Sequence, residues 1–73
     1  MTFEEYLKRT GLRIKYYRML RNLTQAAIAE NLGVEESYVS QIENGKRNIT
    51  MKTLYNIASA LNVEPVKLFD FED

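Results

Sequence analysis

The sequence contains no cysteine and no histidine, and these two absences remove much of the chemistry open to a small protein. Disulfide staples, thiolate zinc sites, imidazole metal ligands and histidine acid/base catalysis are all excluded by composition. No stretch approaches the roughly 18 apolar residues of a membrane span. The opening MTFEEYLKRT is acidic, then basic, with no continuous apolar run, so no secretory signal is expected. Strand signals, internal repeats, linkers and low-complexity tracts are missing too. At 73 residues, the expectation is one domain over 1–73 that hides about 60% of its unfolded surface and has little room for a buried catalytic pocket. A soluble, cytoplasmic protein is expected, with no cofactor, no metal, no membrane contact and no small-molecule ligand; an enzyme is not.

A surplus of charge of either sign is also absent, since ten Lys/Arg balance ten Asp/Glu. The distribution is less even. Residues 1–21 hold six bases against two acids (+4), and 22–45 hold four acids and no base (−4). Lys46, Arg47 and Lys52 make 46–52 basic (+3), and 53–73 set Lys67 against Glu64, Asp70, Glu72 and Asp73 (−3). Such bands are either solvated helix faces or a divided electrostatic surface.

What the chain does have is helical periodicity. Phe3, Tyr6, Leu7, Ile14 and Tyr17 recur at the spacing of one helix face, predicting a first helix over most of 3–21 with a break near Gly11. Asn22 suits the left-handed position that ends a helix. Thr24 can cap the next helix, about 25–32, whose inward face is Ile28, Ala29 and Leu32. Gly33 supplies the positive φ for a sharp turn, and Val34 packs back. A third helix, about 36–44, turns Val39 and Ile42 inward and Ser37, Ser40 and Gln41 outward, and Asn44-Gly45 ends it. Thr50 announces a fourth helix bearing Met51, Leu54, Ile57, Ala58 and Leu61, which Asn62 stops. Pro65 sits at the first turn of a short fifth helix, which with its tail covers about 65–73, and Val66, Leu68, Phe69 and Phe71 make these last residues apolar.

Residues 24–46, TQAAIAENLGVEESYVSQIENGK, carry the most information. Ala29 lets the third helix cross close to the second, Gly33 makes the turn, and Val39 and Ile42 fill the space between. That is the pattern of a helix-turn-helix, whose second helix is shaped for the DNA major groove.

With Gly11, Ile14, Arg18, Leu23-Thr24-Gln25, Ile42-Glu43-Asn44-Gly45-Lys46-Arg47 and residues 54–61 added, the sequence resembles the Cro/C1-type helix-turn-helix family over about 11–69. This family includes phage repressors and restriction-modification controller proteins. The resemblance implies an all-α, compact five-helix bundle. It also implies that Gln25 touches a phosphate and braces the recognition helix, the alternative being a good helix former at an exposed first turn, and that Gln41 reaches base edges, with a solvated amide as the alternative. Ser37, Tyr38 and Ser40 share or adjoin that face; the Tyr38 ring either meets DNA or packs partly on the core. Asn44, Lys46 and Arg47 fall where the family's loop follows the sugar-phosphate backbone. Arg18 and Glu43 match a pair that fixes helix 1 against helix 3. The departures are Ile49, in place of a proline, and the acids Glu35 and Glu36 at the start of the recognition helix. Carboxylates there favour the helix dipole but repel phosphate, and Glu36 is either a cytosine reader or a helix stabiliser.

One recognition helix covers few base pairs, so a homodimer on a pseudo-palindromic operator is expected. Leu61, Val63, Val66, Leu68, Phe69 and Phe71 are its candidate contacts, competing with closure of the core. The functional expectation is a double-stranded-DNA-binding transcriptional regulator that takes its control from its own concentration or a partner. The alternative is a protein-interaction module or antitoxin of the same fold.

Overall fold

The computed structural model describes residues 1–71, so the last two positions of the expected 65–73 helix and tail lie outside the described residues. The chain forms α1 (Phe3–Leu20), α2 (Gln25–Leu32), α3 (Glu36–Glu43) and α4 (Met51–Leu61), and closes with a 3₁₀ turn at Pro65–Leu68; no strand occurs among the described residues. Side chains that compete for orphan backbone groups set the helix boundaries. The Thr24 and Thr50 hydroxyls accept from the Ala27 and Thr53 N–H groups, opening α2 and α4. Thr2 and Glu5 form a reciprocal capping box that opens α1. Asn22 and Asn62, both at φ 57°, turn the chain out of α1 and α4 through the left-handed region. Arg21 adds a long-range stop, donating from Nε to the Leu61 carbonyl at 3.0 Å and from a terminal nitrogen to that of Asn62 at 3.2 Å. A cation at a helix C-terminus also complements the dipole.

Ile14 of α1, Ile28 and Ala29 of α2, Val39 and Ile42 of α3, and Ile57, Ala58 and Leu61 of α4 meet with Leu68 in one core. The short α2 and α3 pack on each other, α1 crosses α3, and α4 lies against α2, α1 and the 3₁₀ turn.

The structure corrects three expectations. The fifth helix is a single 3₁₀ turn, held by bonds from Lys67 N to Glu64 O and from Phe69 N to Val66 O. Four residues starting at a proline fall short of the costly nucleus an α-helix needs, and the tighter bonding suffices to drop Leu68 into the core. Second, α1 is unbroken at Gly11, because that residue is buried where α1 crosses α3. Third, Phe3 and Tyr6 do not reach the core and are 57% and 37% exposed. An 18-residue helix is about 27 Å long against about 12 Å for eight-residue α3, so its first turns overhang the crossing.

Candidate nucleic-acid interface

α2 and α3 owe their mutual angle to the residues between them. Gly33, at φ 72°, ends α2, and the Val34 N–H reaches back to the Ala29 carbonyl at 3.0 Å. Ala29 is buried beneath the crossing, with Val39 and Ile42 of α3. A larger residue at 29 would push the two helices apart. Val34 only half returns to the core, at 37% exposure.

A buried ion pair fixes the far end of α3. Arg18 Nε and a terminal nitrogen donate to the two Glu43 carboxylate oxygens at 2.6 and 3.0 Å, and the other terminal nitrogen donates to the Leu23 carbonyl at 2.8 Å. Gln25 Nε2 adds a third donor to Glu43, at 3.0 Å. The Glu43 side chain is 2% exposed and that of Arg18 12%. Four donors therefore tie α1, the α1–α2 link, the first turn of α2 and the last turn of α3 into one unit. A bidentate guanidinium–carboxylate pair adds direction as well as attraction.

On this braced frame α3 presents its polar face. Glu36, Ser37 and Gln41 are exposed, and Tyr38 and Ser40 are half-buried at its margins. Asn44, Lys46 and Arg47 follow, all exposed. Arg47 folds back over the helix: its Nε donates to Gln41 Oε1 at 2.7 Å, and its guanidinium lies 5.0 Å from the Tyr38 ring centroid. Beside this cluster an open groove of about 420 Å³ runs past Val34, Ser37, Tyr38 and Arg47 to Thr53 and Asn56 of α4. Tyr38 therefore lies between the core and the polar face. Amides, hydroxyls and guanidinium groups of this kind can bond base edges and phosphates, and they include no activated nucleophile. Among the described residues no group of acids is placed to hold a metal ion.

The candidate self-contact divides. Leu61 and Leu68 are fully buried within the chain and leave no surface for a partner. Val66 is 50% exposed, and Val63, Phe69 and Phe71 are half-buried. Phe71 meets the Tyr6 ring edge-on at 5.6 Å, with Arg9 6.0 Å above it. Sequence reasoning did not single out the outer face of α1, where Leu12, Tyr16, Met19 and Leu20 are all more than half exposed; their spacing of three, four and eight residues was the available signal. It also passed over Arg21, whose partners are far along the chain and leave no local trace.

Two short helices joined at a glycine, the second braced by a buried pair and polar on its outer face, define a helix-turn-helix DNA-binding domain. Residues 14–68 match the Helix-turn-helix family model, and the chain belongs to this family of DNA-binding transcriptional regulators. It is 39% identical over 61 residues to an uncharacterised HTH-type transcriptional regulator of Methanocaldococcus jannaschii, a match covering 84% of this chain and 92% of that protein. The fold is similar to the crystal structure of the restriction-modification controller protein C.AhdI from Aeromonas hydrophila (TM-score 0.82, 35% identity, 86% of this chain and 96% of that one). It is also similar to the controller protein C.Esp1396I, solved as a tetramer with its natural 35 base-pair operator (TM-score 0.77, 33% identity, 88% and 84% covered). These relatives are regulators, a non-enzyme family. No helix among the described residues is long and apolar enough to cross a membrane.

Proposed function

We propose that the protein is a sequence-specific regulator that lays α3 in the major groove of double-stranded DNA and binds a pseudo-palindromic operator as a homodimer. The observation that carries this reading is the Glu43 network. It spends a buried carboxylate on fixing α3 while leaving Ser37 and Gln41 exposed on the opposite side. Gln25 lies beside Glu43 at the end of α3, and Asn44, Lys46 and Arg47 follow that end; these four supply the phosphate grip, and Ser37, Tyr38, Ser40 and Gln41 supply base contacts. Glu36 opens α3 near the groove, where it accepts from cytosine N4. Self-association falls to Val66, Val63, Phe69 and Phe71, the candidate contacts that keep exposed surface. Two copies would hold their recognition helices about 34 Å apart, one turn of B-DNA. The operator complex of C.Esp1396I, a tetrameric relative, supports both the DNA and the self-association.

The test is titration of duplex DNA at two salt concentrations, alongside sedimentation of the free protein. A DNA regulator shows affinity that falls steeply with salt, and dimer at tens of micromolar. Little binding at either salt would mark a protein-interaction module instead, and monomer alone would remove the homodimer.

A further inference from the structure

The outer face of α1 carries an amphipathic pattern that neither the core nor the polar face of α3 uses. Leu12 and Tyr16 each stand two residues from the buried Ile14 and so point about 160° away from it, and Met19 and Leu20 carry the same stripe one turn further. These four are 56–61% exposed. Lys8 and Lys15, seven residues apart, run along one edge of the stripe, and Arg9 and Arg13, four apart, run along the other. Lys8, Arg9 and Lys15 are exposed and Arg13 is half-buried. Between Arg9, Leu12, Arg13 and Tyr16 the surface is concave, forming an open groove of about 560 Å³ that Tyr17 and Phe71 wall off.

We propose that this face docks an amphipathic helix of a partner protein, apolar along one stripe and lined with carboxylates on both edges. The apolar stripe and groove take the partner's side chains at helical spacing, and the two basic edges set its orientation and reject basic partners. Size and charge argue against a second copy of this chain. Four side chains along about 12 Å of helix expose on the order of a few hundred Å², short of the roughly 800 Å² per partner of a stable dimer. Two α1 helices laid face to face would also oppose Lys and Arg with Lys and Arg. Shape argues against a bilayer, because the groove receives a projecting side chain that a flat lipid surface does not offer. Gly11 and Arg18, which meet the end of α3, lie on another face of α1. A helix docked on the stripe therefore leaves Ser37 and Gln41 uncovered.

The test is fluorescence anisotropy of the full chain with three labelled peptides of about 18 residues, long enough to be helical alone. They share one leucine stripe at i, i+3, i+4 and i+7 and carry Glu, Gln or Lys along both its edges. The Glu peptide is expected to bind about tenfold more tightly than the Gln peptide, the sum of several exposed charge pairs, and the Lys peptide not to bind. Leu12→Gln with Tyr16→Gln should abolish binding of the Glu peptide, and Arg13→Gln with Lys15→Gln should erase its advantage over the Gln peptide. Both double variants should melt cooperatively and keep the parent's affinity for duplex DNA. The proposal is overturned if the three peptides bind alike or if binding survives both double variants. It is equally overturned if Leu12→Gln with Tyr16→Gln dissociates a self-assembly seen in sedimentation, which assigns the stripe to a second copy. Loss of DNA affinity in Arg13→Gln with Lys15→Gln, or sedimentation of the parent but not the variants with phosphatidylserine vesicles, overturns it in favour of DNA or a lipid surface.

Discussion

A methyl group added at Gly11 would stand 2.5 Å from the carbonyl oxygens of both Ile42 and Glu43. Helix propensity favours alanine over glycine by about 1 kcal/mol, so an isolated α1 would gain from Gly11→Ala. The crossing reverses the sign, because the obstructing atoms are backbone and cannot swing aside. Gly11→Ala should lower stability by about 1–3 kcal/mol in denaturant unfolding; a midpoint at or above the parent's would mean that α1 and α3 separate freely. Arg18→Ala acts by a different route, leaving Glu43, 2% exposed, without its guanidinium. Breaking a buried pair on one side costs about 3–5 kcal/mol, a large share of the total at about 0.05–0.15 kcal/mol per residue. Arg18→Met with Glu43→Leu should recover most of that loss, since replacing both partners removes the stranded charge. If Arg18→Ala instead melts with the parent and loses only DNA affinity, the pair has no structural role. This pair was legible only through the family resemblance, because its members lie 25 residues apart and no local pattern joins them. The bond between Arg47 and Gln41 was not legible at all: both residues read as outward polar groups, and only the loop's return path brings them together.

At the scale of elements, the recognition helix begins less well than its neighbours. Thr2, Thr24 and Thr50 each cap a helix with a hydroxyl, whereas Glu35, at the same position of α3 with φ −72° and ψ 147°, makes no side-chain cap bond. Its backbone is already in the conformation a capping residue adopts. Glu35→Ser should therefore stabilise the protein by about 0.5–1 kcal/mol after the lost dipole interaction is subtracted. That corresponds to a rise in Tm of roughly 2–8 °C for a domain of this size, and a fall in Tm would show that the carboxylate does more for α3 than a cap would. The other helix ends were readable because each signal acts on its own neighbourhood: Thr24 and Thr50 on N–H groups three residues on, Asn22, Gly33 and Asn62 on their own φ. Where the outcome depended on distant partners, the same reasoning failed. The segment from Pro65 stops at a single 3₁₀ turn once Leu68 reaches the core, and Phe3 carries the right periodicity on a turn that overhangs its partner.

Over the whole molecule, zero net charge should make long-range attraction to DNA weak, so the grip must come from cations placed at contact distance. Lys46 and Arg47 directly follow α3, and a homodimer brings two copies of each. Each phosphate neutralised on duplex DNA contributes about −0.9 to the slope of log affinity against log salt, so four such contacts contribute about −3.6. Lys46→Gln removes one cation per copy and should flatten the slope by about 1.8 while leaving the selected sequence unchanged, as expected of a contact that reads no base. An unchanged slope would show that Lys46 is merely solvated. The same measurement reports on assembly when Val66, 50% exposed, becomes aspartate. If Val66 lies in the self-contact, a charge there drives the protein to monomer, halves the number of cations bound per complex and cuts the slope roughly in half. If Val66 lies outside it, Val66→Asp keeps the parent's slope and its sedimentation. Salt dependence therefore separates a cation lost from each copy, which flattens the slope but keeps the dimer, from a copy lost from the complex, which changes both.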